Sequence, residues 1–225
     1  MIEAVIFDMD GTLIDSEPMW KEAEKLVFSS LGVEVTEELS FQTASMTTRE
    51  VTEFWYNLFP WSGRSSEQVE NDVVDRVATL IAAEGIALEG VKAGLDFCQS
   101  KALKIGLATN APARLIPVVL EKLDIAHYFH AVSSSEHEVN GKPDPAVYLS
   151  TVKKLNVKPS ACIAIEDSVS GIMAAINANM KTVVVPPVAE FADKKYDIAD
   201  IKLKQLSEFS DVLQSKGFLV LTSLN

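Results

Sequence analysis

Short apolar runs that end in polar or glycine-containing turns recur along this chain, and they constrain its fold more than any other feature. The runs are continuous rather than alternating, which is typical of strands buried on both faces of a sheet. Four are strong, at residues 4–7, 105–108, 162–165 and 182–185, and two are weaker, at 131–133 and 201–203. Segments with helical spacing of apolar residues alternate with them, at 91–98, 113–123, 145–155 and 169–178. This alternation predicts an α/β fold built on a parallel sheet.

One long segment interrupts the alternation of strand and helix. Residues 16–88 contain no strong strand pattern and instead hold three stretches of helical periodicity, at 17–31, 49–59 and 67–83. We therefore predict an all-helical insertion at 16–88, after the first strand, with residues 1–15 and 89–225 forming the α/β core. A short apolar stretch at 218–221 is a candidate to dock on that core.

The charge of the chain excludes several classes of partner. The 225 residues include 32 acidic and 20 basic side chains, a net charge of −12, which repels nucleic acid and anionic lipid. No apolar run reaches the roughly 18 residues of a membrane-spanning segment, and the N-terminus lacks the basic start of a secretion signal. We expect a soluble, cytoplasmic protein, a monomer by default, without nucleic-acid or membrane partners. An anionic substrate would need a local cation.

The strongest chemical signal is the sequence DMDGT at 8–12, directly after the first predicted strand. Two carboxylates two residues apart at the end of a buried strand are costly unless a cation compensates them. A hard divalent cation prefers oxygen ligands of this kind, and Gly11 permits the sharp turn that follows. An EF-hand calcium loop is excluded, because counting from Asp8 places Gly11 fourth rather than sixth and Met19 twelfth.

Three further polar clusters follow predicted strands. They are Thr109-Asn110, Glu166-Asp167 and Lys142 in the sequence GKPDP. Because ligands bind outside the carboxyl ends of the strands of an open parallel sheet, we expect all four clusters to converge at one edge. Together they offer a carboxylate nucleophile, a second carboxylate, hydroxyl and amide donors, one cation and metal ligands. This set suits phosphoryl transfer, in which positioning and charge neutralisation dominate.

These four motifs, in this order and over nearly the whole chain, resemble those of haloacid dehalogenase-superfamily phosphatases with a helical cap after the first strand. The sequence IFDMDGTLIDSE at 6–17 is similar to that of the β-phosphoglucomutase-like group. The resemblance implies a Rossmann-like core with an all-helical cap. It also implies an Mg²⁺-dependent phosphatase that hydrolyses phosphorylated sugars, such as 2-deoxyglucose 6-phosphate, other hexose 6-phosphates or hexitol phosphates.

The resemblance further implies roles for individual core residues. Asp8 would attack phosphorus and form an aspartyl-phosphate, and Asp10 would act first as general acid and then as general base. Lys142 would neutralise the nucleophile and the phosphoryl oxygens. Asp8, the backbone carbonyl of Asp10 and Asp167 would hold Mg²⁺, with Glu166 acting directly or through water.

Substrate-binding residues are expected from both the core and the cap. The set is Met9, Thr109, Asn110, Lys142, Glu17, Trp20 and Arg49. Thr109 and Asn110 would bind the phosphoryl group. Near the hinge, Glu17 would hydrogen-bond a sugar hydroxyl, and Trp20 would offer its ring face or pack between cap and core. Arg49, at the head of a cap helix, would bind the sugar phosphate or simply be exposed.

Two alternatives to a phosphatase stay open. Mutases of this group carry a His and a Lys in the cap, whereas Trp20 stands where the His would be expected and no lysine lies between residues 26 and 91. Hydrolysis is therefore the simpler outcome. The missing lysine also argues against phosphonoacetaldehyde hydrolases, and Asp10 argues against haloacid dehalogenases. The second alternative is a non-enzymatic phosphometabolite sensor, against which the pairing of Asp8 with Asp10 argues.

Overall fold

The computed structural model describes residues 2–43 and 46–215, so the apolar stretch at 218–221 lies outside the described residues. Its strands form one sheet of parallel neighbours in the order β3-β2-β1-β4-β5-β6. The strands are β1 (Ala4–Phe7), β2 (Lys104–Thr109), β3 (Ala131–Ser134), β4 (Cys162–Glu166), β5 (Lys181–Val184) and β6 (Ile201–Lys202). The predicted α/β fold is confirmed, and each predicted strand boundary agrees to within one residue.

The first four helices after β1 form the part of the chain that we call the cap. They are α1 (Glu17–Ser30), α2 (Glu37–Thr43), α3 (Thr48–Leu58) and α4 (Ser66–Glu84). No strand lies between α1 and α4 among the described residues, as the sequence predicts, although α2 was not expected. The exact division at residues 15–16 and 88–89 stays a prediction.

The remaining helices cover the sheet. They are α5 (Val91–Ser100), α6 (Leu115–Lys122), α7 (Ala146–Leu155), α8 (Val169–Asn177) and α9 (Phe209–Ser215). Apolar residues of α5, α6 and α9 belong to one core cluster and those of α7 and α8 to another. Within the described part of the chain, no helix has both the length and the apolarity needed to cross a bilayer.

Strand β1 lies in the middle of the sheet, and its apolar sequence is explained by burial on both sides. Val5 and Phe7 pack into one core cluster, while Ala4 and Ile6 pack into the other. Successive side chains point to opposite faces, so a strand between two helical layers must be apolar at every position. The strand ends at Asp8, whose backbone N–H continues the ladder to β4 with an N···O distance of 2.9 Å.

The cap has its own aromatic centre and is fixed to the core on one side. The ring of Phe28 on α1 lies 5.8 Å from that of Trp55 and 6.0 Å from that of Trp61. Arg114, which precedes α6, pairs with Asp75 of α4 at an N···O distance of 2.6 Å. The cap therefore stands over the carboxyl ends of the strands, where the polar clusters lie.

Helix α8 begins so close to the end of β4 that only glycine fits at its third residue. Ser168 caps the helix, and its Oγ accepts a hydrogen bond from the Gly171 N–H at 3.1 Å. A Cβ atom at Gly171 would lie 1.9 Å from Oε2 of Glu166. The glycine therefore makes room for the carboxylate that ends β4.

We predict that Gly171→Ala lowers the free energy of unfolding by about 1–3 kcal/mol, since the new methyl group must displace a buried carboxylate. Gly94→Ala in α5 is the matched control, because its nearest neighbour, on Leu206, would be 3.6 Å away. There the alanine should raise the free energy of unfolding by about 0.5–1 kcal/mol, because it restricts the conformations of the unfolded chain. Urea denaturation measures both. Equal effects in the two variants would contradict this account of the close approach.

Candidate active site

The polar clusters that follow the strands converge on one cavity between cap and core, with a volume of about 770 Å³. From the core, its lining includes Asp8, Asp10, Thr109, Asn110, Lys142 and Asp167. From the cap, residues of α1, α2 and α3 close the opposite side. The polar clusters therefore meet at the carboxyl edge of the sheet, as the sequence predicts.

At the centre of the site one buried ammonium group bridges two carboxylates. Nζ of Lys142 lies 2.5 Å from Oδ1 of Asp8 and 2.6 Å from Oε1 of Glu166, and it also donates to the carbonyl of Ala108 at 2.8 Å. All three charged side chains are almost completely buried. Charge-assisted hydrogen bonds of this kind are short and strong, so they fix the position of the Asp8 carboxylate.

Burial and charge act in opposite directions on these groups. Burial raises the pKa of the Asp8 carboxyl to about 7, although the ammonium of Lys142 opposes the rise. For Lys142 itself, burial favours loss of the proton, but the carboxylates of Asp8 and Glu166 outweigh it and raise its pKa. Lys142 therefore stays charged, and its charge favours the ionised form of Asp8.

Two uncharged residues hold this arrangement in place. The hydroxyl of Tyr148 donates to Oε1 of Glu166 at 2.5 Å, and its ring lies 5.1 Å from Nζ of Lys142. Oδ1 of Asn110 accepts a hydrogen bond from the backbone N–H of Lys142 at 2.8 Å. Asn110 thus positions the lysine, a contact that was not predicted. Tyr148 was also missed, because in the sequence it is simply an apolar position of α7.

Three carboxylates of the site are close enough to share one cation. Oxygens of Asp8, Glu166 and Asp167 lie within 4.8 Å of one another. Lys142 compensates only one of three negative charges, and burial, followed by Asp8 and Glu166, raises the pKa of Asp167 well above its usual value. Hard oxygen donors with two uncompensated charges fit Mg²⁺. The backbone carbonyl of Asp10 as a further ligand stays a prediction.

Asp10 is held from the cap side rather than by the lysine. Its Oδ1 accepts hydrogen bonds from Oγ of Ser16 at 2.5 Å and from Nε1 of Trp20 at 2.9 Å. Burial raises the pKa of Asp10, and these two hydrogen bonds partly oppose the rise. Trp20 therefore faces the cavity, as expected, but its N–H serves Asp10. In the sequence, the only sign of these contacts is that Ser16 and Trp20 follow Asp10 by six and ten residues.

The other predicted binding residues differ in how close they come to the cavity. Thr109 is buried in its lining, and its Oγ1 accepts a hydrogen bond from the N–H of Ala111 at 2.9 Å. Glu17 is in the lining but is exposed and pairs with Lys21. The roles of both stay predictions.

Met9 and Arg49 lie outside the cavity lining. The Met9 side chain is fully buried in the core, so only its main chain could reach a ligand. Arg49 is exposed at the second residue of α3, and its contact with a sugar phosphate stays a prediction.

Comparison with known proteins agrees with the fold. The chain matches the haloacid dehalogenase-like hydrolase family over residues 2–179. It is 38% identical to hexitol phosphatase B of Escherichia coli over 210 residues, 93% of this chain and 95% of that protein. It is 35% identical to the phosphorylated carbohydrates phosphatase of Thermotoga maritima over 189 residues, 81% of this chain and 84% of that protein.

A solved structure shows the same fold at lower identity. The β-phosphoglucomutase of Clostridium difficile superposes with a TM-score of 0.84 at 24% identity, covering 97% of each chain. The motifs, the topology and the extent of the match agree, and this chain belongs to the haloacid dehalogenase-like hydrolase family.

Proposed function

We propose that this hydrolase is an Mg²⁺-dependent phosphatase of phosphorylated sugars, acting on hexose 6-phosphates such as 2-deoxyglucose 6-phosphate or on hexitol phosphates. The observation that carries the proposal is the pair of carboxylates at the end of β1. Asp8 is held by Lys142, and Asp10 is held by Ser16 and Trp20, beside one cavity. Two relatives named for hexitol and carbohydrate phosphates support the choice of substrate class.

In the first step an oxygen of Asp8 attacks phosphorus. A bond forms between that oxygen and phosphorus, and the bond from phosphorus to the sugar oxygen breaks. Asp10, whose pKa burial raises, gives its proton to the departing sugar oxygen. The ammonium of Lys142 balances the negative charge shared by Asp8 and the phosphoryl oxygens.

In the second step water releases the phosphoryl group. Asp10, now ionised, takes a proton from the water as its oxygen attacks phosphorus. The bond between phosphorus and Asp8 breaks, which restores the Asp8 carboxylate and yields inorganic phosphate. Asp10 ends protonated, ready for the next sugar phosphate.

Mg²⁺ would be held by Asp8, Asp167 and the backbone carbonyl of Asp10, with Glu166 acting directly or through water. When bound, it neutralises charge on the phosphate group and on the acidic cluster. Glu166 already accepts hydrogen bonds at one oxygen from Lys142 and Tyr148 and at the other from Oγ of Ser168 at 3.4 Å.

The function is tested by phosphate release from a panel of hexose 6-phosphates, hexitol phosphates and β-glucose 1-phosphate. We expect Mg²⁺-dependent release from several of them, and a loss of about 10³-fold or more in Asp8→Asn, which lacks the nucleophile. Asp124→Asn, at an exposed position far from the cavity lining, is the control. Conversion of β-glucose 1-phosphate to the 6-phosphate without release would favour a mutase, and no turnover at all would favour a sensor.

Mg²⁺ should also stabilise the fold, because it relieves the repulsion within the acidic cluster. At a concentration about 100 times its dissociation constant, it should raise Tm by about 5–10 °C relative to EDTA at equal ionic strength. Asp167→Asn should lose most of that increase. A Tm that is independent of Mg²⁺ in the wild type would contradict the metal site.

Trp20→Phe should lower kcat by about tenfold with little change in KM, because it deletes the N–H that positions Asp10. That hydrogen bond favours the ionised form of Asp10, so its loss should raise the pKa of Asp10 and move the alkaline limb of the pH profile upwards. Trp61→Phe is the control, since Nε1 of Trp61 has no hydrogen-bond partner among the described residues. An unshifted alkaline limb in Trp20→Phe would argue against the positioning role.

A further inference from the structure

Glu24 on α1 is a half-buried carboxylate in the cap wall of the cavity that the mechanism does not use. Within residues 2–43 and 46–215, no group donates a hydrogen bond to it and no cation pairs with it, so burial alone acts on its pKa. Glu17, the other carboxylate that α1 contributes to the lining, is exposed and paired with Lys21 at 2.5 Å. Of the two carboxylates that α1 contributes to the lining, Glu24 is therefore the one without a hydrogen-bond or ion-pair partner among the described residues.

The position of Glu24 along α1 relates it to the reacting atoms. Residues four apart on a helix lie on the same face, with Cβ atoms about 5–6 Å apart, so Glu24 is one turn beyond Trp20. Trp20 in turn holds Asp10, the proposed proton donor to the sugar oxygen. Glu24 thus borders the space beyond that oxygen, where the part of the substrate remote from phosphate would lie.

The partial burial of Glu24 and its lack of hydrogen bonds indicate what kind of group would occupy that space. A carboxylate partly removed from water without hydrogen bonds is costly, and burial raises the pKa of Glu24 to about 7. Hydroxyl groups of a ligand would restore the missing hydrogen bonds. A second anionic group would be repelled by Glu24 and by the carboxylates across the cavity.

We propose that Glu24 is a specificity-determining residue that accepts hydrogen bonds from hydroxyl groups at the end of the substrate remote from phosphate. The inference rests on the proposed phosphatase function and deepens it. It names phosphate esters whose alcohol part is uncharged and polyhydroxylated as the preferred class, and it places their recognition on α1, the helix that also positions Asp10.

Glu24→Leu tests the proposal with two substrates that differ in their leaving groups. Glucitol 6-phosphate carries hydroxyl groups along its chain, whereas p-nitrophenyl phosphate carries none. We expect kcat/KM for glucitol 6-phosphate to fall about 10- to 100-fold, the value of a hydrogen bond to a charged group, and kcat/KM for p-nitrophenyl phosphate to stay nearly unchanged. Glu24→Gln, which keeps one acceptor oxygen, should lose less. Glu22→Gln, exposed on the same helix and paired with Arg76, is the control.

Each outcome decides the question. Equal losses on both substrates would mean that Glu24 acts through the fold or through Asp10, and no loss on either would mean that it does not contact substrate. Both results overturn the inference. If the wild type released phosphate from p-nitrophenyl phosphate but from no sugar or hexitol phosphate, the proposed function would fail first, before any variant was compared, and the inference would fail with it.

Discussion

The rest of the site depends on one buried ammonium group, that of Lys142, which lies between two carboxylates far from it in sequence. Asp8 is 134 residues away and Glu166 is 24 away. Removing one partner from a buried pair costs about 3–5 kcal/mol, because it leaves an uncompensated charge. The parallel sheet brings the two carboxylates together, because β1 and β4 are neighbours and both end at the same edge, and Lys142 reaches them from the segment between β3 and α7. The same contact therefore stabilises the fold and fixes the position of the Asp8 carboxylate.

Much of this arrangement could be predicted from the sequence. Continuous apolar runs indicate strands between two layers of helices, and a polar motif after such a run has to lie at the carboxyl edge. Asp8, Thr109 and Glu166 each occupy that position. At β1, β2 and β4 the boundaries were accurate because the apolar run is followed by Asp8, Thr109 or Glu166, polar residues that are costly to bury without a partner. Helix α2 was missed since its seven residues bury only Thr43 and show no apolar face.

Contacts between side chains on different elements were much harder to predict. Nothing in the sequence shows that Tyr148 donates to Glu166, that Asn110 holds the backbone of Lys142, or that Trp20 donates to Asp10. The contacts of Tyr148 and Trp20 depend on how a helix is rotated against the sheet, and that of Asn110 depends on the path of two loops, neither of which the spacing of apolar residues gives. One of these contacts, that of Trp20 with Asp10, involves α1. This helix carries Trp20 and Glu24 on one face, so their proposed roles would join proton transfer to the recognition of the substrate.

In the proposed mechanism Asp8 carries the phosphoryl group between two steps that Asp10 assists. Asp10→Asn with p-nitrophenyl phosphate tests it most directly, because nitrophenolate leaves without a proton donor while the attack of water still needs a base. After acid quenching and digestion, mass spectrometry of the peptide containing Asp8 should show one added phosphoryl group, and Asp8→Asn should show none. Release of nitrophenolate with Asp8 unmodified at every quench time, or with the phosphoryl group on another residue, would contradict the account.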